Sequence, residues 1–143
     1  MKKLYIFILI FLFFQNIILC ESNPKVSQLF NEYLKRVLQI VQVPERRNYI
    51  VIDVTDCPGC VQLYIETIEK RIKKYKNTSI IFVGADRNGS TIKKFKDNNN
   101  VYFDYDGFLR RIALPGVCSY IVVKNFEITK ATKITIDNYE KIL

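Results

Sequence analysis

The amino-acid sequence predicts a layered α/β fold with a central mixed sheet. Short β-branched and aromatic runs alternate with segments whose apolar residues recur every three or four positions. Strands that alternate with helices favour parallel pairing in the middle of a sheet. Near the C-terminus, two strand-like runs flank a turn at Lys124 and Asn125, which predicts an antiparallel hairpin at one edge.

Predicted helices and strands alternate along most of the chain. Predicted helices cover residues 26–43, where Pro44 would be the stop, 57–75, the segment around Ile92 and Phe95, and 137–143, where Asp137 would be the cap. Predicted strands cover residues 49–54, 79–84, 101–103, 118–123 and 127–133, and a helical turn is predicted within 106–114. We expect about four strands in the central sheet, and an additional helix at the N-terminal end.

The composition of the chain excludes several kinds of active site. The chain has 143 residues, the size of one domain, and no histidine, which excludes Ser-His-Asp and Cys-His nucleophile pairs and zinc sites that use His. The net charge of +8 favours anionic partners in general. Much of the excess lies in residues 69–76, a pattern typical of a solvated helix face, and no groove-reading motif accompanies it. We therefore expect no nucleic-acid partner.

Residues 1–20 are predicted to be an export signal. Lys2 and Lys3 precede eleven consecutive apolar residues, a run shorter than the roughly 20 residues of a membrane span. The segment ending at Cys20 resembles a lipoprotein signal with Cys20 as the lipidated residue, although Leu19 is larger than usual there. Ordinary cleavage after Cys20 and an uncleaved anchor are alternatives. All three place residues 21–143 outside the cytoplasm, in the periplasm or cell envelope, where disulfides persist.

The motif Cys57-Pro58-Gly59-Cys60 ends a strand and begins an amphipathic helix. Cysteines three residues apart at a helix start can form a disulfide, and the helix N-terminus favours the thiolate of Cys57. Cys57 would attack a substrate disulfide and Cys60 would resolve the mixed disulfide. The neighbouring charge of Asp56 opposes thiolate formation.

Over about residues 48–143 the chain resembles the thioredoxin superfamily, especially periplasmic thiol–disulfide oxidoreductases related to cytochrome-maturation thioredoxins. The resemblance rests on the strand 49–54, the Cys57–Cys60 motif, Asp106-Gly107-Phe108-Leu109, and the segment 116–123. It implies a redox-active dithiol and no bound cofactor. It also implies protein thiols or disulfides and an upstream redox partner as partners, with a membrane tether at the N-terminus.

Two departures from that family stand out. The inner dipeptide is Pro-Gly where thioredoxin has Gly-Pro, and the position of the family's cis-proline is occupied by Cys118, with Pro115 as a less well aligned candidate. The resemblance places Val117 and Cys118 opposite the dithiol, where they would face substrate or supply a third thiol. Cys118 as a small buried hydrophobe at a strand start is an equal alternative.

Other interpretations of the cysteines remain open. Cys57 and Cys60 also fit a purely structural disulfide, a redox-inactive binding module, or a metal site shared with Cys118. Asp53 fits a buried proton acceptor for Cys60, but a solvated position at the loop edge is the preferred interpretation.

Overall fold

The computed structural model describes residues 23–116 and 118–143. The predicted export signal, the candidate lipidation site Cys20 and the candidate site residue Val117 lie outside the described residues. Within the described ranges, no helix has the length and apolar character needed to cross a membrane.

Nine regular elements follow one another along the described chain. The helices are α1 (Pro24–Arg36), α2 (Pro58–Arg71), α3 (Ser90–Phe95) and α4 (Tyr139–Ile142), with 3-10 turns at Ile72–Lys74 and Phe108–Arg111. The strands are β1 (Arg46–Asp53), β2 (Thr78–Val83), β3 (Val101–Asp104), β4 (Ser119–Lys124) and β5 (Glu127–Lys133). The helical turn predicted within residues 106–114 is confirmed by the second 3-10 turn.

All five strands form one mixed sheet in the order β3-β2-β1-β4-β5. β1 and β3 pair with β2 in parallel, whereas β4 pairs with β1 and β5 in antiparallel fashion. The predicted α/β class and the antiparallel terminal hairpin are confirmed. The expected count of about four strands was wrong. Three of the four residues of β3 are only half-buried, but β3 pairs with Ile80–Val83 of β2 and so adds a fifth strand to the sheet.

Two apolar clusters cover the two faces of the sheet. Successive side chains of a strand point to opposite faces, so β1 contributes Ile50 and Ile52 to one cluster and Tyr49 and Val51 to the other. The first cluster packs against α2 and the second against α1. β1 is therefore buried on both sides, as expected of a central strand.

The first helix ends earlier than the sequence pattern predicts. Gln39 adopts a left-handed conformation with φ 55°, and the N–H groups of Val37 and Leu38 both donate to the Tyr33 carbonyl. This turn ends the helix at Arg36, well before Pro44, and leaves Val41 94% exposed. The predicted Asp137 cap is also wrong, since Asn138 is the N-cap of α4.

Candidate redox site

Cys57 and Cys60 form a disulfide at the junction between the central strand and helix α2. Their Cα atoms are 5.3 Å apart, within the range that a disulfide requires. Cys57 is exposed, whereas Cys60 is half-buried and packs against the apolar cluster beneath α2. The two cysteines therefore differ in solvent access, and Cys57 is the more exposed of the two.

The local sequence explains why the helix begins at this point. Cys57 is the N-cap of α2, and Pro58 occupies the first turn, where its missing N–H has no cost. The Cys57 carbonyl accepts the N–H of Val61 at 2.9 Å. The first turn carries no acidic side chain, so the partial positive charge of the helix N-terminus acts on the disulfide.

Cys118 lies in the core that also contacts Cys60. It is 1% exposed and immediately precedes Ser119, which pairs with Val51 of the central strand. Its Sγ makes a weak contact with Asp56 Oδ2 at 3.9 Å, and it forms no disulfide with any described residue. Burial raises the pKa of the Cys118 thiol to about 11. Cys118 is thus a small buried residue before a strand, one of the two alternatives that the sequence left open, and its Sγ lies near Asp56, the residue that precedes Cys57.

Asp56 is an exposed residue near both Cys57, which is in the disulfide, and the buried Cys118. It precedes Cys57 in sequence, and its carboxylate is within reach of Cys118 in space. Its backbone N–H donates to the Asp53 carbonyl at 3.3 Å, which tightens the turn after β1. Its negative charge opposes the effect of the helix N-terminus on a Cys57 thiolate.

Asp53 is not solvated, contrary to the preferred interpretation of the sequence. It is 2% exposed, and its carboxylate accepts hydrogen bonds from Arg110 Nε at 2.5 Å and Arg110 Nη2 at 2.8 Å. Thr55 donates to the same carboxylate from its backbone N–H at 2.9 Å and from Oγ1 at 2.7 Å. Burial alone would raise the pKa of Asp53, but these hydrogen bonds outweigh it and the pKa is lowered. Asp53 is thus the ion-pair partner of Arg110, and its lowered pKa makes it a weak base toward the Cys60 thiol.

Arg110 is a residue of this region that sequence reasoning missed. Its guanidinium lies against Gly84 and Gly107, both with left-handed backbone at φ 71° and 68°. A Cβ added at Gly84 would lie 2.3 Å from Nη2, and one added at Gly107 would lie 2.6 Å from Nη1. The signal that could have predicted a basic partner was Asp53, because an acidic residue inside a buried strand requires a cationic partner.

A small cavity adjoins the Asp53–Arg110 pair on the α1 side of the sheet. Its volume is about 120 Å³, and its walls combine this ion pair with apolar side chains and one glycine: Val51, Val83, Leu109, Ile112, Leu114 and Gly116. The segment leading to β4 therefore runs beside the ion pair.

Asp104, at the end of β3, anchors the turn that carries Arg110. It is 1% exposed and accepts the backbone N–H groups of Phe108 at 3.1 Å and Leu109 at 2.8 Å. The Tyr33 hydroxyl of α1 donates to the same carboxylate at 3.2 Å. Burial, followed by the charge of Asp104, raises the pKa of Tyr33 far above its usual range, so this phenol remains a donor. Three elements thus converge on one carboxylate beneath the Arg110 turn.

Two further results bear on the nature of the site. Among the residues that the structure describes, no three His, Cys, Asp or Glu side chains are arranged to hold a metal ion. No family model, curated protein or solved structure matches the chain. The site is therefore defined by its own geometry, as a disulfide with one exposed cysteine beyond the carboxyl end of the central strand.

Proposed function

We propose that this protein is an exported thiol–disulfide oxidoreductase with a thioredoxin-like domain in residues 21–143. The observation that carries the proposal is the unequal pair of sulfurs, with Cys57 exposed at a helix N-terminus and Cys60 half-buried behind it. The sheet order β3-β2-β1-β4-β5, with the disulfide directly after the central strand, supports the thioredoxin-like assignment.

In the reducing direction the exchange has two steps. The Cys57 thiolate attacks one sulfur of a substrate disulfide, forms a mixed disulfide and releases the other substrate sulfur as a thiolate that takes up a proton. Cys60 then loses its proton and attacks Cys57 Sγ, which closes the Cys57–Cys60 disulfide and releases the second substrate thiol. Two electrons pass from the dithiol to the substrate, and oxidation of a substrate dithiol is the reverse.

Partners and location follow from the same proposal. Substrates are proteins with accessible thiols or disulfides, and an upstream redox partner restores the dithiol or the disulfide. Export by residues 1–20, with Cys20 as a lipid attachment point, would hold the domain at the membrane in the periplasm or cell envelope. The proposed location rests on the sequence pattern of residues 1–20.

Insulin reduction with dithiothreitol tests the activity. We expect wild type to accelerate precipitation of the insulin B chain and Cys57→Ser to match dithiothreitol alone. Cys60→Ser should accumulate a mixed disulfide through Cys57, detectable by mass spectrometry. Cys118→Ala, which removes a thiol outside the disulfide, is the matched control and should retain activity. Equal rates for wild type and Cys57→Ser would refute the proposal.

A second candidate is a redox-inactive binding module on the same fold. Its support is Cys118 at the position of the family's cis-proline, together with Asp56 beside Cys57, since both depart from an ordinary dithiol site. It predicts that Cys57→Ser captures the same partners as wild type. Loss of every captured partner in that variant would count against it.

A further inference from the structure

The segment that carries Cys57 is short, and its backbone N–H groups at Val54 and Asp56 donate to the carbonyls of Val83 at 3.0 Å and Asp53 at 3.3 Å. Only Val54, Thr55 and Asp56 separate the end of β1 from Cys57. In the described structure, the Cys57 side chain makes no capping hydrogen bond to α2. When the disulfide is reduced, the covalent link to Cys60 is lost, so the position of the Cys57 thiolate depends on how this segment is held.

Thr55 adds side-chain hydrogen bonds to that segment. Its Oγ1 donates to Asp53 Oδ1 at 2.7 Å and accepts from Arg110 Nη2 at 2.8 Å. Its backbone N–H donates to the same Asp53 oxygen at 2.9 Å. The residue two positions before Cys57 is therefore bound to both members of the ion pair.

Arg110, which donates a hydrogen bond to Thr55, is held by a distant part of the chain. Arg110 belongs to the 3-10 turn Phe108–Arg111, which is 57 residues from Asp53 in sequence. Gly84 and Gly107 leave space for its guanidinium, and Asp104 binds the backbone of the same turn. A charge-assisted fork of this kind restricts geometry more than a single neutral hydrogen bond.

We infer that Arg110, acting through Thr55, is a positioning residue that holds Cys57 for thiol–disulfide exchange in the reduced protein. The inference rests on the proposed function, but it concerns the geometry and reactivity of one thiol. Asp53 supplies the acceptor that joins Thr55 to Arg110. Without the hydrogen bonds from Thr55 to Asp53 and Arg110, the Thr55–Cys57 segment samples more conformations. The Cys57 thiolate then spends less time at the N-terminus of α2.

Thr55→Val is the decisive variant, because it removes Oγ1 and preserves both the side-chain shape and the Asp53–Arg110 ion pair. Thr67→Val is the matched control on α2, since among the described residues the Thr67 hydroxyl bonds only to the Leu63 carbonyl of its own helix. Both are made in a Cys60→Ser background. The reduced proteins are treated with iodoacetamide between about pH 5 and pH 10, and the Cys57 peptide is followed by mass spectrometry.

We expect Thr55→Val to slow Cys57 alkylation at pH 7 by roughly three- to tenfold, a modest part of what a misplaced reacting group can cost. Its rate profile should shift to higher pH, while Thr67→Val follows the parent. Arg110→Lys keeps the charge but loses the fork, so it should change the rate in the same direction. It decides the question if Thr55→Val does not fold.

An unchanged rate and pH profile in a folded Thr55→Val, or in Arg110→Lys when that variant decides, would overturn the inference. A slower rate with the same loss in Thr67→Val would also overturn it, because a general loss of stability would then explain both. Alkylation needs no protein substrate. An inert wild type in the insulin assay would therefore refute the proposed function without deciding the positioning role.

Discussion

Arg110 donates two hydrogen bonds to the Asp53 carboxylate, from Nε to Oδ2 at 2.5 Å and from Nη2 to Oδ1 at 2.8 Å. The carboxylate is 2% exposed, whereas the Arg110 side chain is 40% exposed. This fork lies at the carboxyl end of the central strand, four residues before Cys57. The pair therefore connects the stability of the sheet to the position of the redox motif.

Arg110→Gln should lower the free energy of unfolding by about 2–3 kcal/mol, because it leaves a buried carboxylate without its cationic partner. Arg111→Gln is the matched control. The Arg111 guanidinium lies over the exposed Phe108 ring at 5.1 Å, and its loss should cost about 0.5–1 kcal/mol. Urea unfolding followed by circular dichroism measures both. Similar costs for the two variants would show that the Asp53 pair contributes little.

Gly84→Ala should destabilise the protein by about 1–3 kcal/mol. The added Cβ would clash with the Arg110 guanidinium, and φ 71° is unfavourable for any residue with a side chain. Gly59→Ala is the control, since no atom lies within 4 Å of its added Cβ and alanine favours a helix. We expect Gly59→Ala to be neutral or slightly stabilising in thermal unfolding. Equal midpoints of thermal unfolding for the two variants would contradict the close packing of the Arg110 guanidinium against Gly84.

The stability of the protein should fall at alkaline pH through Cys118. Burial raises the pKa of this thiol to about 11, above the value of about 8.5 expected in the unfolded chain. Its contribution is therefore complete below about pH 8.5 and is lost as the pH rises toward 11. Between about pH 8.5 and pH 10 this amounts to about 2 kcal/mol.

Urea unfolding of wild type and Cys118→Ala over that pH range checks the expectation. The buried tyrosines titrate in both proteins, so their contribution cancels in the comparison. Wild type should lose about 2 kcal/mol more than the variant. Parallel curves would mean that the Cys118 thiol is not protected from ionisation in the folded state.

The local arrangement of the redox motif could be predicted from the sequence. A β-branched run, a Pro in the first helical turn and apolar residues at helical spacing are short-range signals, and they predicted the strand–Cys57–helix junction. The end of α1 could not be predicted in the same way. Its apolar spacing continues to Val41, whereas the left-handed turn at Gln39 is a local backbone choice that hydropathy does not encode.

The burial of Asp53 also depended on a distant residue. A strand-end aspartate followed by Thr55 and Asp56 is typical of a solvated edge, so the sequence pattern favoured exposure. Arg110, which is 57 residues away, changes the outcome because it supplies the opposite charge that burial of a carboxylate requires. Arg110 and Arg111 are adjacent basic residues in the sequence, but in the structure Arg110 pairs with Asp53 beside two left-handed glycines, whereas Arg111 lies over the Phe108 ring.

By itself the sequence determined the α/β class, the absence of histidine chemistry, and the dithiol at the start of a helix. Each depends on composition or on contacts within a few residues. Only the tertiary structure decided that five strands share one sheet, that Cys118 lies near Asp56, and that Arg110 anchors Thr55 and Asp53. The Cys118–Asp56 contact joins residues 62 positions apart, and the Arg110 contacts join residues 55 and 57 positions apart. Which of these distant groups meet is settled by how the two apolar faces of the sheet pack.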